Sequence, residues 1–511
     1  MSIFPRASGV LLHPTSLPGR YGIGDLGDYA YRFVDMLQAA GQSLWQMLPL
    51  GPTSYGDSPY QCLSAFAGNP NLISLDKLEQ LGWLSAKDLA QAPRFPDHEV
   101  DYGPVIAFHE QMLDLAYQNF TSTANAGYRQ AFAQWSDSQA DWLDDYALFF
   151  ALKTHEFGGR PWVEWDEPLA LRDPAALEAA RQRLSSAVEA VKFQQWLFFG
   201  QWEALKNYAN ARGIRIVGDI PIFVAHDSSD VWANPHHYSL DATGKPTVVA
   251  GVPPDYFSAT GQRWGNPLYK WDIHKAEGYA WWIKRVKAAL ALSDIIRIDH
   301  FRAFEDYWEI PGTEATAVKG RWLKGPNIDL FRAIQAALGA DLPIIAEDLG
   351  QITPAVEKLR DDLALPGMKI IQFGFSDPEN VFLPHNYAHS NFVVYTGTHD
   401  NNTVVGWWQA EASAGEREYC IAYFNKDIGH SPQWEMIRLA MSSNAHTCIS
   451  PMQDVLGLGA EARMNTPGKL GGNWAWRITP AQFGNQDAFR TLAHFTRVYA
   501  RWPGKRGATR G

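Results

Sequence analysis

The chain has 511 residues, 46% hydrophobic and 19% charged, and its 44 basic against 55 acidic side chains leave a net charge of −11. That length buries a large core, so a barrel-sized domain with insertions and an arrangement of two to three domains are both open, while the acidic balance and the lack of a lysine–arginine stripe argue against a nucleic-acid partner. Three cysteines, Cys62, Cys420 and Cys448, without CxxC spacing give no disulfide framework and no cysteine zinc site, and fit a reducing cytoplasm.

The first residues, Met1 to Arg6, show no charged region followed by an apolar run, and no stretch is apolar for long enough to span a bilayer; no membrane association is expected. Short β-rich runs follow at 9–14, 43–50, 214–223, 295–299, 343–347, 369–374, 392–397 and 445–450. Helix-like stretches lie between most of them, at 28–40, 278–292, 327–338 and 353–363. Eight buried strands with intervening helices predict an α/β fold, a (β/α)8 barrel in which 1–511 form one catalytic domain. Two connections are too long to be simple. After the second strand the chain holds several amphipathic patterns, read as a mostly helical insertion at about 76–205. After the third strand, about 224–275 is rich in Gly, Pro, Asn, Asp and aromatics, which suggests an irregular, lid-like insertion over the barrel mouth. The basic end, Lys505 to Arg510, reads as a frayed tail.

Barrel catalysis draws single residues from several strand ends, and here four strands run into an acid at the same end. The third closes on Gly218-Asp219, the fourth on Arg297-Ile-Asp299, the fifth on Ala346-Glu347, and the seventh is followed by Thr398-His399-Asp400. Isolated buried carboxylates are costly, so packing does not explain four of them. Residues two apart on a strand share a face, so Arg297 should point with Asp299 and keep it ionised, as a nucleophile requires. Replacing Arg297 by Leu should then cost far more activity than stability. Paired carboxylates on a barrel point to glycosidic-bond chemistry, and the 21 Trp, 20 Tyr and 26 Phe offer rings for the apolar faces of sugars. Glu347 is the candidate acid/base, its pKa raised by burial and by the Asp299 charge; Asp400, with His300 and His399 beside it, would bind the hydroxyls of a distorted ring.

The words Arg297-Ile-Asp-His-Phe-Arg302, Ala346-Glu-Asp-Leu-Gly350 and Thr398-His-Asp-Asn-Asn-Thr403, in that order, resemble the signature of amylomaltases, the cytoplasmic 4-α-glucanotransferases or disproportionating enzymes of the α-amylase superfamily. Supporting words are Gly9-Val-Leu-Leu-His-Pro-Thr-Ser-Leu-Pro18, Ser64-Ala-Phe-Ala-Gly-Asn-Pro70, Gly261-Gln-Arg-Trp-Gly-Asn-Pro267 and Gly472-Asn-Trp-Ala-Trp-Arg477. The resemblance implies Asp299 as nucleophile, Glu347 as acid/base and Asp400 as transition-state stabiliser. It further implies that Tyr60, Asp219, Arg297, His300 and His399 contact the sugar at the cleavage point, with Gln262, Trp264 and Asn473 nearby. Tyr55 and Tyr102 resemble aromatics of a separate glucan-docking groove. The implied reaction moves segments of maltooligosaccharides and longer α-1,4-glucans to the 4-hydroxyl of another glucan or glucose by a retaining double displacement; a retaining α-glucan hydrolase is the alternative. Residues 251–265, with Tyr256, Phe257 and Trp264, would form a loop that closes over the glucan and expels water.

No cofactor is expected. Gly22-Ile-Gly-Asp-Leu-Gly27 fits G-x-G-x-x-G but sits well past its strand and lacks the downstream acid of a dinucleotide site. No metal is expected either: His236-His237 has no third ligand at zincin spacing and follows a turn-like Asn234-Pro235, and no calcium loop appears.

Overall fold

The computed structural model describes residues 4–254 and 258–503. Eight parallel strands form the central sheet: Ala7–Leu11, Leu44–Gln46, Arg215–Pro221, Ile295–Asp299, Ile344–Ala346, Gly367–Ile370, Phe392–Tyr395 and Thr447–Pro451. Each pairs with its neighbour in chain order except at the seam between the fifth and sixth, and the eighth returns to the first in register from Ala7 opposite Thr447 to Leu11 opposite Pro451. Between the fifth and sixth strands the Ala346 amide donates to Pro366 O at 3.0 Å, which brings the two edges of the sheet together and leaves the barrel nearly closed. Beside that seam Asp348 accepts the Met368 amide at 2.7 Å and pairs with Arg360. The second acid of the Ala346-Glu-Asp word is thus a fastening for the seam.

The strands are buried on both faces and read as near-continuous apolar runs, the usual state of a parallel sheet covered by helices. The covering helices fit their pattern: in Asp28–Ala39, Ala30, Phe33, Val34 and Leu37 fall on one buried stripe. Asn327–Leu338 buries Leu330, Phe331 and Ile334, and Thr353 caps Pro354–Asp362 by accepting the Val356 amide. Ladder boundaries shift where the chain stays buried after leaving the sheet. The second strand stops at Gln46, although Met47 and Leu48 remain inside, and the sixth curls into a 3-10 turn at Ile371–Phe373.

Between the second and third strands lie helices that include Tyr102–Thr123, Ala126–Ser138, Ala140–Ala151 and Ser185–Ala211. The 27-residue Ser185–Ala211 helix supports the loop that follows the second strand, 127 residues earlier in the chain, through two buried amide clasps. Gln195 accepts the Gly68 amide at 2.8 Å and donates to its carbonyl at 2.9 Å, and Gln201 does the same for Ser74. At Gly68 a Cβ would fall 2.0 Å from the Phe198 ring, which explains the glycine in Ser64-Ala-Phe-Ala-Gly-Asn-Pro70.

The segment after the third strand is more ordered than its composition suggested. Val248–Val252 and Gln262–Pro267 pair antiparallel and join Asp306–Pro311 and Arg321–Lys324, which follow the fourth strand, in a four-stranded sheet. Short length and intervening Gly and Pro hid these strands, and one of the three pairings, between Val248–Val252 and Asp306–Pro311, joins segments distant in sequence. Tyr256 and Phe257 of the expected closing loop, like the basic end, lie outside the described residues. In the glycine-rich loop after the first strand, Gly24 donates to Thr15 O and leaves no room for a Cβ, which would lie 2.1 Å from Pro14 O. Its role is close backbone packing. Among the described residues no helix is long and apolar enough to cross a membrane, and all three cysteines are free.

Candidate active site

The parallel register between the third and fourth strands sets Asp219 opposite Arg297, and the two-residue period sets Asp299 on the same side. Arg297 bridges both acids, with Nη1 2.7 Å from Asp219 Oδ2 and Nη2 2.9 Å from Asp299 Oδ1. The guanidinium and Asp219 are buried, whereas the Asp299 side chain keeps 31% exposure. The carboxylate that must meet a ligand is therefore the reachable one. Tyr60 donates to Asp219 Oδ2 at 2.8 Å, and Asp219 Oδ1 has no partner among the described residues.

Glu347 leaves the fifth strand beside this trio. Its Oε1 accepts the Leu349 amide at 2.8 Å and its Oε2 the His300 amide at 2.7 Å. Both bonds favour the ionised form, as does Arg297; burial and the Asp299 charge oppose it and prevail, lifting the pKa to about 8. The charge count agrees, since one guanidinium already faces two carboxylates and a third negative charge has no counter-ion. This is the shift expected from the sequence, with the same two causes.

His300 holds a left-handed backbone, φ 56°, which turns its amide toward Glu347. Its ring stands edge-on to Trp264, centroids 4.8 Å apart at 87°. Burial, with Arg302 nearby, pushes the His300 pKa down to about 3, so the ring is neutral and can donate one hydrogen bond and accept another. Trp264 donates its indole N–H to Gln262 Oε1 at 3.1 Å, linking Gln262 to the same wall.

Opposite, Tyr60 stacks on His399 with centroids 5.0 Å apart, and Trp474 packs on both rings. His399 Nε2 lies 3.4 Å from Asp400 Oδ2. Direct contacts thus join Tyr60, Asp219, Arg297 and Asp299, and through the Tyr60–His399 stack also His399 and Asp400, while Glu347, His300, Trp264 and Gln262 form a second group. Asn473 sits apart: it accepts the Thr466 amide and donates to Lys469 O, so both ends of its amide close its own loop. Tyr55 is 74% exposed, while Tyr102 donates to Trp474 O at 2.9 Å and lies near Asp57 of the Tyr55 turn.

Several contributors escaped the sequence reading. Asn465 donates to Asp400 Oδ1 at 2.6 Å, and Arg463 donates to Asp400 O at 2.8 Å while pairing with Glu411. Both come from the loop beyond the eighth strand, which has no periodicity and no acid directly at the strand end to mark it. Trp474 and His13 lay within quoted words without a role; His13 is buried facing His399, with its pKa pushed down to about 3. An Asn465→Ala variant should lose about 10-fold in kcat/KM at an unchanged melting temperature, the expected cost of one hydrogen bond to a charged group. Steady-state kinetics beside a thermal melt would check it.

A nearly closed parallel barrel with a guanidinium-braced acid, a raised-pKa acid and a third carboxylate at one rim defines an enzyme acting on glycosidic bonds. Residues 12–482 match the family model described as 4-alpha-glucanotransferase. The chain is 52% identical to a 4-alpha-glucanotransferase of Synechocystis sp., over 97% of this chain and 98% of that one. A 4-alpha-glucanotransferase of Thermus thermophilus is also 52% identical, over 96% and 98%. The solved amylomaltase from Streptococcus agalactiae in complex with acarbose superposes with a TM-score of 0.93 at 40% identity, covering 97% of this chain and all of that one. The chain belongs to the 4-alpha-glucanotransferase family.

Proposed function

We propose that the protein transfers segments of α-1,4-glucans, including maltooligosaccharides, to the 4-hydroxyl of another glucan or glucose through a covalent intermediate on Asp299. The observation that carries this reading is the asymmetry of the two central acids. Arg297 sets positive charge against a reachable Asp299, while Glu347 is buried with its pKa at about 8. At neutral pH Glu347 holds a proton for the departing oxygen, and Asp299 attacks the anomeric carbon from the other face. Esterification cancels the Asp299 charge and removes one of the two causes of the raised Glu347 pKa. Glu347, having given up its proton, then takes one from the acceptor hydroxyl. Two inversions at one carbon retain configuration.

In this scheme Asp400, held by Asn465, binds ring hydroxyls as the sugar flattens. Tyr60 and His399 give a stacked aromatic wall, the buried Asp219 holds Tyr60 and Arg297 in place, and His300 supplies a neutral ring. Gln262 and Trp264 are placed along the glucan; Asn473 would have to release its loop bonds to touch it. Tyr55 and Tyr102 form a second docking surface. Transfer needs no cofactor in this mechanism, and the net charge and free cysteines support a cytoplasmic enzyme without nucleic-acid partners.

Incubation with maltotriose tests the reaction. A ladder of longer maltooligosaccharides plus glucose is the expected product, and accumulation of shorter sugars alone would make the protein a retaining hydrolase. The acid must be protonated in the free enzyme, so kcat/KM should fall tenfold per pH unit above about pH 8. A pH–rate profile flat to pH 10 would remove Glu347 from that role.

A further inference from the structure

We infer that His236, His237 and Glu277 form a binding site for a first-row divalent cation, Zn2+ in the first place, at the base of the segment that follows the third barrel strand. His236-His237 has no third ligand nearby in sequence; the fold brings one from 40 residues along the chain. His237 Nε2 lies 2.7 Å from Glu277 Oε2, and His236 Nε2 lies 3.5 Å from Glu277 Oε1. One donor atom from each of the three residues lies within 4.8 Å of the other two. Zn–N and Zn–O bonds of about 2.0–2.2 Å put ligand atoms on a tetrahedron roughly 3.3 Å apart. The His236 separation already fits, and the His237 hydrogen bond need open only slightly.

A second observation points the same way. His237 and His274 are both buried, with ring centroids 4.4 Å apart, yet His237 Nδ1 and both ring nitrogens of His274 lack a hydrogen-bond partner among the described residues. These nitrogens are not among the three ligand atoms; the cluster gives the His237 ligand a buried, imidazole-rich surrounding. The ligand chemistry narrows the metal: two imidazoles and a carboxylate suit Zn2+ and other first-row divalent ions, whereas Mg2+ and Ca2+ prefer oxygen throughout.

The location gives the site a consequence. His236 and His237 end the turn Pro235–His237, and Glu277 follows the helix Trp271–Ala276. Between them the chain runs out through Val248–Val252 and returns through Gln262–Pro267, which carries Gln262 and Trp264, its base pinned by the Tyr238–Tyr269 bridge and by the Lys270 amide donating to His237 O. A bound ion would cross-link both feet of that excursion and stiffen it from below.

The test is calorimetric titration of the chelator-treated, full-length protein with ZnCl2 in a non-coordinating buffer at pH 7.5, with a thermal melt alongside. One saturable equivalent and a raised melting temperature are expected. His236→Ala and Glu277→Ala, both at exposed positions, should each weaken binding at least about 10-fold. Absence of a saturable Zn2+ equivalent, or binding unchanged in both variants, would overturn the site and leave an ordinary histidine–glutamate ion pair. Maltotriose turnover by the same samples reads the proposed reaction separately.

Discussion

Replacing Asp299 by Asn should lower maltotriose turnover by at least about 10^4-fold and leave the melting temperature within a few degrees of the parent. The amide keeps the shape but cannot attack the anomeric carbon. Stability should hold because Arg297 retains its 2.7 Å pairing to the buried Asp219, and Asp299 itself is partly solvated. The variant should also show a second effect. Losing the Asp299 charge reproduces the electrostatics of the glycosylated enzyme, so the Glu347 pKa should fall below about 8. Isotope-edited infrared titration of the Glu347 carboxyl in parent and variant would read this directly. An unchanged value would mean that burial alone sets the shift, and the switch of Glu347 from acid to base would lose its physical basis.

Replacing Arg297 by Leu should cost about 10^2–10^3-fold in activity, the scale of a lost charge-stabilising group, together with about 3–5 kcal/mol of stability. The sequence alone suggested an activity effect with little loss of stability, because only the pair on one strand was visible. The structure adds Asp219 on the neighbouring strand, whose buried carboxylate would be left without its cation. Linkage gives the sign of the pH dependence. Burial holds the Asp219 pKa above its ordinary value even with Arg297 present, and without that cation it should rise further. A carboxyl whose folded pKa is raised favours folding where it is protonated, and that advantage is lost as pH rises through the folded value. The stability deficit of Arg297→Leu should therefore be smaller in acid and grow toward neutral pH. The double variant Arg297→Leu with Asp219→Leu should recover stability without recovering activity. Denaturant unfolding of the three proteins at two pH values would separate the effects.

The four acids were legible because a parallel barrel puts the carboxyl ends of its strands at one rim, so a run such as Ile295–Asp299 announces both its burial and its direction. The partnership of Arg297 with Asp219 was not legible, since register between two strands nearly eighty residues apart is set by the whole barrel. The same limit hid Asn465 and Glu277, each of which acts on a side chain far from it in sequence. Aromatic roles were only half legible. Composition announced many rings, but whether a ring faces solvent, core or ligand depends on neighbours such as the Tyr60–His399 stack. Helix boundaries were read more closely than strand boundaries, because caps such as Thr353 are local signals, whereas a strand ends where its neighbour stops pairing.

The measurement that tests the central claim most directly is intact and peptide mass spectrometry of a Glu347→Ala variant treated with an α-maltosyl fluoride. Fluoride leaves without a proton donor, so the first displacement should proceed, and the missing base should let the glycosyl-enzyme accumulate. The account predicts one maltosyl unit per chain, on the peptide containing Asp299. An adduct on Asp400, or hydrolysis of the donor with no covalent species at any time point, would contradict it.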